Sequence, residues 1–90
     1  MPKFVIERDI PGAGKLSARD LQAVSQKSSR TIKQLGSKVQ WVQSFVTADK
    51  TFCIYIADNE EQIKEHASHS GIPATKITQV ASVIDPITAE

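Results

Sequence analysis

Two stretches of helical periodicity break up four short runs of strand-like residues, and their order along the chain is the strongest constraint on its fold. Lys3 to Arg8 is a short β-rich run, followed by the proline and glycines of a loop, Asp9 to Lys15. Ser17 then reads as a helix N-cap, with Asp20 three residues on as its capping-box partner. Leu21, Val24, Ser28, Ile32 and Leu35 recur at helical spacing. Arg19, Gln26, Lys27 and Arg30 take the opposite face, and Gly36 closes the helix. The small Ser25 and Ser28 would let this helix approach a sheet closely.

Val39 to Thr47 and Thr51 to Ala57 read as two strands joined by the polar turn Ala48-Asp49-Lys50, which makes a hairpin. Simple alternation sends Trp41 and Phe45 one way and Val42 and Val46 the other. Asp58 or Asn59 caps a second helix, with Glu60 and Glu61 in its first turn, where they favour the dipole. Ile63, Ala67 and Ser70 mark its inner face, Gly71 ends it, and Ile72-Pro73-Ala74 leads into a fourth strand predicted over Ile77 to Ile84. Asp85-Pro86 stops that strand.

The order β-α-β-β-α-β predicts one α+β domain over residues 1–90. Its expected form is a ferredoxin-like βαββαβ sandwich, with a four-stranded antiparallel sheet in the order four-one-three-two and two helices on one face. Two helices cover one face only, yet the strands carry apolar residues on both parities. Phe4 and Ile6 oppose Val5, and Phe52, Ile54 and Ile56 oppose Cys53 and Tyr55. A solvated face alternates to polar residues instead. The expected cover is a second copy of the chain, giving a homodimer.

Composition narrows the function classes. The net charge of +1 favours neither nucleic acid nor a membrane surface as partner. With one cysteine, Cys53, the 90 residues contain no internal disulfide and suit a reducing compartment. The opening Met1-Pro2-Lys3-Phe4-Val5-Ile6-Glu7-Arg8 meets charge too soon for a signal peptide or a membrane span, so the expected location is the cytoplasm.

No motif for catalysis is strong, and the residues lean toward binding rather than an enzyme. Gly12-Ala13-Gly14-Lys15 sits where a phosphate loop would, but Asp9 and Leu16 stand where a Walker loop needs glycine and Ser/Thr. The run then reads as a flexible loop. Phe52 and Tyr55 differ in parity and cannot form one stacking platform for RNA. Cys53 alone cannot make a paired-thiolate metal site.

His66 and His69, the only histidines, are spaced i, i+3, and Glu65 lies four before His69. On a helix they meet in pairs and are candidate ligands for a divalent transition metal. Glu7 sits on a central strand, at the face assigned to the dimer, where a carboxylate calls for a partner. Asp9 follows it in the loop and is a second acidic candidate. A different use of the fold is a small-molecule cavity lined by Trp41, Ser44, Cys53 and Tyr55, with Glu7 and His66; simple alternation does not bring all of these to one face. A third is an interaction module without a ligand.

The runs Phe4 to Gly12, Trp41-Val42-Gln43-Ser44, Asp49 to Ala57, Glu65-His66-Ala67 and Gly71-Ile72-Pro73-Ala74 together resemble a group of small bacterial domains of unknown function that includes a nickel-binding protein. The resemblance spans nearly the whole chain. It implies a dimeric ferredoxin-like fold and, less directly, nickel as the metal. Glu7 and His66 fall inside the resembling stretches; His69 is less clearly part of them.

Overall fold

A computed structural model describes residues 1–36 and 38–90. Strands β1 (Lys3–Asp9), β2 (Val39–Val46), β3 (Lys50–Ala57) and β4 (Lys76–Gln79) form one antiparallel sheet in the order β2-β3-β1-β4. Helices α1 (Ala18–Gln34) and α2 (Glu60–Ser70) follow β1 and β3. This is the predicted ferredoxin-like βαββαβ arrangement, with the predicted strand order. No helix among the described residues is long and apolar enough to cross a membrane.

The helix ends form as their residues dictate. The Ser17 hydroxyl accepts from Asp20 N–H at 3.1 Å, and the Asp20 carboxylate accepts from Ser17 N–H at 3.2 Å, completing a capping box. Asn59, rather than Asp58, caps α2, its side chain accepting from Gln62 N–H. Gly71 ends α2 with φ 70°, the left-handed conformation that glycine adopts without a Cβ penalty.

The core lies between the helices and one sheet face. Phe4, Ile6, Val39, Cys53, Tyr55, Ala57 and Ile63 are buried there, with Ile32, Trp41, Ala74 and Ile77 packed against them. In the register, Val5 pairs with Ile54, Glu7 with Phe52 and Phe45 with Phe52. The opposite face therefore carries a central patch of Val5, Phe45, Phe52, Ile54 and Ile56. Lys3, Gln40, Gln43, Lys76 and Thr78 surround it. Phe45 is 54% exposed. Such an apolar centre inside a polar rim is the anatomy of a protein interface.

Two expectations give way. The register slips between Trp41 and Gln43, leaving Val42 as the extra residue of a β-bulge. Beyond it parity reverses. Trp41, Ser44 and Val46 share the helix-covered face, while Phe45 turns to the open one. The fourth strand is also shorter than predicted, ending at Gln79. Val80 N–H still donates to Lys3 O, but β1 begins at Lys3 and no pairing edge remains beyond. Val83 and Ile84 are consequently exposed.

The glycine run between β1 and α1 is a packed structure, not a flexible loop. Ala13–Lys15 forms a 3-10 turn against the β2–β3 turn. Gly14 N–H donates to Ala48 O at 2.9 Å, and Gly12 N–H to the Asp49 carboxylate at 3.0 Å. Amides that a phosphate loop would offer to a ligand are spent inside the chain. A Cβ on Gly14 would lie 2.9 Å from the Ala48 Cα and 3.1 Å from Thr47 O, both backbone atoms. Gly14→Ala is expected to cost about 1–3 kcal/mol of stability by overpacking. Lys15→Ala, an exposed position next to it, should stay within about 0.5 kcal/mol. Urea midpoints of the two variants measure the difference; equal midpoints would mean that the turn yields freely.

Candidate functional site

The five candidate metal ligands fall on two sides of the sheet. Glu7 and Asp9 belong to the open face, where Lys50 Nζ lies 2.8 Å from Glu7 and 3.6 Å from Asp9. The hydrogen bond from Lys50 holds the Glu7 carboxyl below the ordinary carboxylate value. The partner that Glu7 called for is thus an ammonium of the same chain. His66 lies between α2 and the sheet, 1% exposed, whereas Glu65 and His69 are exposed on the outer side of α2. The sheet separates the two sets. Among the described residues, no three His, Cys, Asp or Glu side chains gather closely enough to hold a metal ion.

Trp41, Ser44, Cys53 and Tyr55 do come together. The Val42 bulge puts Trp41 opposite Tyr55 and Ser44 opposite Cys53 on the same face. Trp41 Nε1 donates to Ser44 Oγ at 2.9 Å, a contact that unbroken alternation would forbid. These four residues line an open-sided cavity of about 260 Å³ between α1 and the sheet. Leu21, Val24 and Ser28 of α1 form one wall, and Gly71, Ile72 and Pro73 close one end. Leu16, Val24 and Val46, each exposed by more than a third, are part of its apolar lining. Glu7, facing the other side of the sheet, takes no part.

Arg8 was not among the residues singled out from the sequence, yet it lines this cavity. It follows Phe4 and Ile6 on the core parity of β1 and is 2% exposed. That alternation was the available signal: a charge where the period puts core. Arg8 Nη1 donates to Ile72 O at 3.1 Å and Pro73 O at 2.9 Å. Its guanidinium carbon lies 5.9 Å from the centre of the Tyr55 ring.

A polar line runs inward from the cavity. The Tyr55 and Ser28 hydroxyls are 3.1 Å apart, and Ser28 Oγ is 3.3 Å from His66 Nε2. The Tyr55 and His66 rings sit 5.1 Å apart, tilted by 53°. Burial pushes the Tyr55 phenol above its ordinary pKa, keeping it protonated as a hydrogen-bonding group. Burial also lowers the pKa of His66, and the positive charges of Arg8 on β1 and His69 on α2 act the same way against the contact with Ser28. A neutral imidazole is the resting state.

The pH dependence of stability follows from that shift. Unfolded His66 takes up a proton around its ordinary value of 6.5, and the folded chain resists it. Below that pH the unfolded state binds more protons, so stability falls as pH drops from 6.5 toward the lowered folded value. Urea unfolding at pH 7.5 and pH 5 should show this loss in the wild type and less of it in His66→Gln. The same pH dependence in both proteins would contradict the assignment.

Comparison with known proteins bears on the whole chain. Residues 4–80 match the family described as nickel responsive protein SCO4226-like. The crystal structure of SCO4226 from Streptomyces coelicolor A3(2) aligns with a TM-score of 0.77, covering 91% of this chain and 99% of that one. Sequence identity to it is 15%, so the likeness speaks for the fold. No curated protein matches the sequence. With 77 of 90 residues inside the match, the chain belongs to the nickel responsive SCO4226-like family.

Proposed function

We propose that this protein is a small cytoplasmic nickel-binding protein that works as a homodimer. The family match over residues 4–80 carries the nickel reading. Among the described residues of one chain the donors do not fit a site with three or more side-chain ligands. What one chain offers is pairs, and they are not equal. Glu7 and Asp9 are held by Lys50, a cation that competes with any metal. His66 has its Nε2 against Ser28 and the positive charge of Arg8 beside it. Glu65 and His69 are exposed and one helical turn apart, and an imidazole with a carboxylate suits nickel. Two such donors bind modestly unless groups from another copy or from solvent complete the shell.

The dimer reading rests on the open sheet face. Its patch around Val5, Phe52 and Ile54 is apolar, central and ringed by polar residues. Light scattering at micromolar concentration should report a dimer, and Ile54→Lys, which places a charge in mid-patch, should report a monomer. A monomeric wild type would remove this part of the proposal.

Calorimetric titration with nickel tests the metal reading. His69→Ala and Glu65→Gln should each weaken binding by about tenfold or more, as the loss of one of few ligands does. Glu7→Gln and His66→Gln should leave it nearly unchanged. Affinity should fall with pH, because protons compete for the ligand nitrogen. If the His69 and Glu65 variants bind like the wild type, these two residues are not the donors; if no protein binds below millimolar, nickel is not a ligand of this chain.

A further inference from the structure

Arg8 presents an unusual demand. Its side chain is 98% buried by its 2% exposure, and among the described residues it forms no ion pair. The neighbouring acids, Glu7 and Asp9, point to the other face of the sheet. Two carbonyl oxygens satisfy Nη1, but Nη2 is buried without any hydrogen-bond partner. A guanidinium always carries its charge, and a buried charge without an opposite partner is costly. The same arginine borders a cavity whose other walls are almost wholly apolar.

We propose that this cavity binds a small apolar monocarboxylate, its carboxylate held by Arg8 and its hydrocarbon body by Trp41, Tyr55, Leu21 and Val24. The charge decides the sign of the ligand: a metal ion or an amine would be repelled by Arg8, whereas an anion neutralises it. The number of free donors decides the head group. With Nη1 engaged by Ile72 and Pro73, Arg8 has donors left for a singly charged carboxylate, and among the described residues no second cationic side chain lines the cavity to serve a phosphate. The neutral Tyr55 hydroxyl at the cavity wall is a further hydrogen-bonding group.

The size decides the body. A volume of about 260 Å³ exceeds the ~150 Å³ that encloses benzene and falls just short of the ~300 Å³ at which pockets for drug-sized molecules begin. One aromatic ring with a short acid arm, or a short alkyl acid, is the fitting class. The exposure of Leu16, Val24 and Val46 is explained in the same way, as apolar surface that such a ligand covers. This site is independent of the proposed nickel donors, Glu65 and His69, which lie on the outer side of α2.

Trp41, the single tryptophan, lines the cavity and reports occupancy by its fluorescence. Titration with 3-phenylpropionate in the presence of a chelator keeps metal out of the result. The neutral 3-phenylpropionamide and the more highly charged phenylphosphonate serve as comparison probes. The carboxylate should bind about tenfold or more tightly than the amide, the worth of one charge-assisted contact, and more tightly than the phosphonate. Arg8→Gln should abolish the preference over the amide. Because Arg8 also clips Ile72 and Pro73, that variant carries a folding risk, and Val24→Glu, at a cavity-lining position that is 43% exposed, avoids it. The lost apolar contact weakens both probes alike, and the added negative charge should weaken the carboxylate severalfold more than the amide. Equal binding of carboxylate and amide, no binding below about 10 mM, a phosphonate that binds better, or a Val24→Glu protein that behaves as wild type each overturns the proposal.

Discussion

A guanidinium buried on the core face of the central strand needs oxygen atoms around it, and much of this fold is arranged to supply them. Arg8 reaches across to the carbonyls of Ile72 and Pro73. Those carbonyls are available because Gly71 turns the chain in the left-handed conformation at the end of α2. The connector is then held along β1, with Thr75 N–H donating to Glu7 O and Asp9 N–H to Thr75 Oγ1. One charged side chain thus ties the exit of the second helix to the central strand at the end of the cavity. It also reaches His66 electrostatically, adding to the burial that keeps the imidazole neutral.

The two faces of the sheet have separate tasks. The covered face combines a conventional core around Ile6, Val39 and Ile63 with a polar line, Tyr55–Ser28–His66. Such buried polar groups are tolerated because each finds a partner. Ser28 makes this possible, since a larger residue on α1 would fill the space through which Tyr55 and His66 meet. The open face holds an apolar patch with ion pairs at its margin, where Lys50 bridges Glu7 and Asp9. Exposed pairs of this kind contribute little to stability. They keep the edge of the patch polar around its apolar centre.

Family membership and single-chain geometry pull in different directions. The family is described as nickel responsive, and the described residues of one chain gather no cluster of metal donors. What the chain does enclose is a cavity with an anion-seeking arginine. A response to nickel and a cavity for a small acid do not exclude each other. The exposed Glu65 and His69 and the cavity beside Arg8 lie in different parts of the same sandwich.

Local pattern was enough for the elements and their order, because capping, periodicity and turn chemistry act over a few residues. Ser17 with Asp20, the helical face of α1, the hairpin over Asp49 and the end of α2 at Gly71 all follow from neighbours in sequence. The four-strand order follows from that succession of elements. The candidate site was only half legible. Trp41, Ser44, Cys53 and Tyr55 were named as cavity residues, but nothing local announced the Val42 bulge that brings them to one side. A bulge is set by pairing between strands, and a slip of one residue exchanges the faces for everything beyond it. The separation of Glu7 and Asp9 from His66 and His69 has the same character: residue types suggest ligands, but only the sheet decides on which side each stands. The sequence by itself determined which elements form and in what order. Tertiary structure alone decided which side chains meet, because strand register, the bulge and the long reach of Arg8 to residues 64 and 65 positions away depend on contacts between distant parts of the chain.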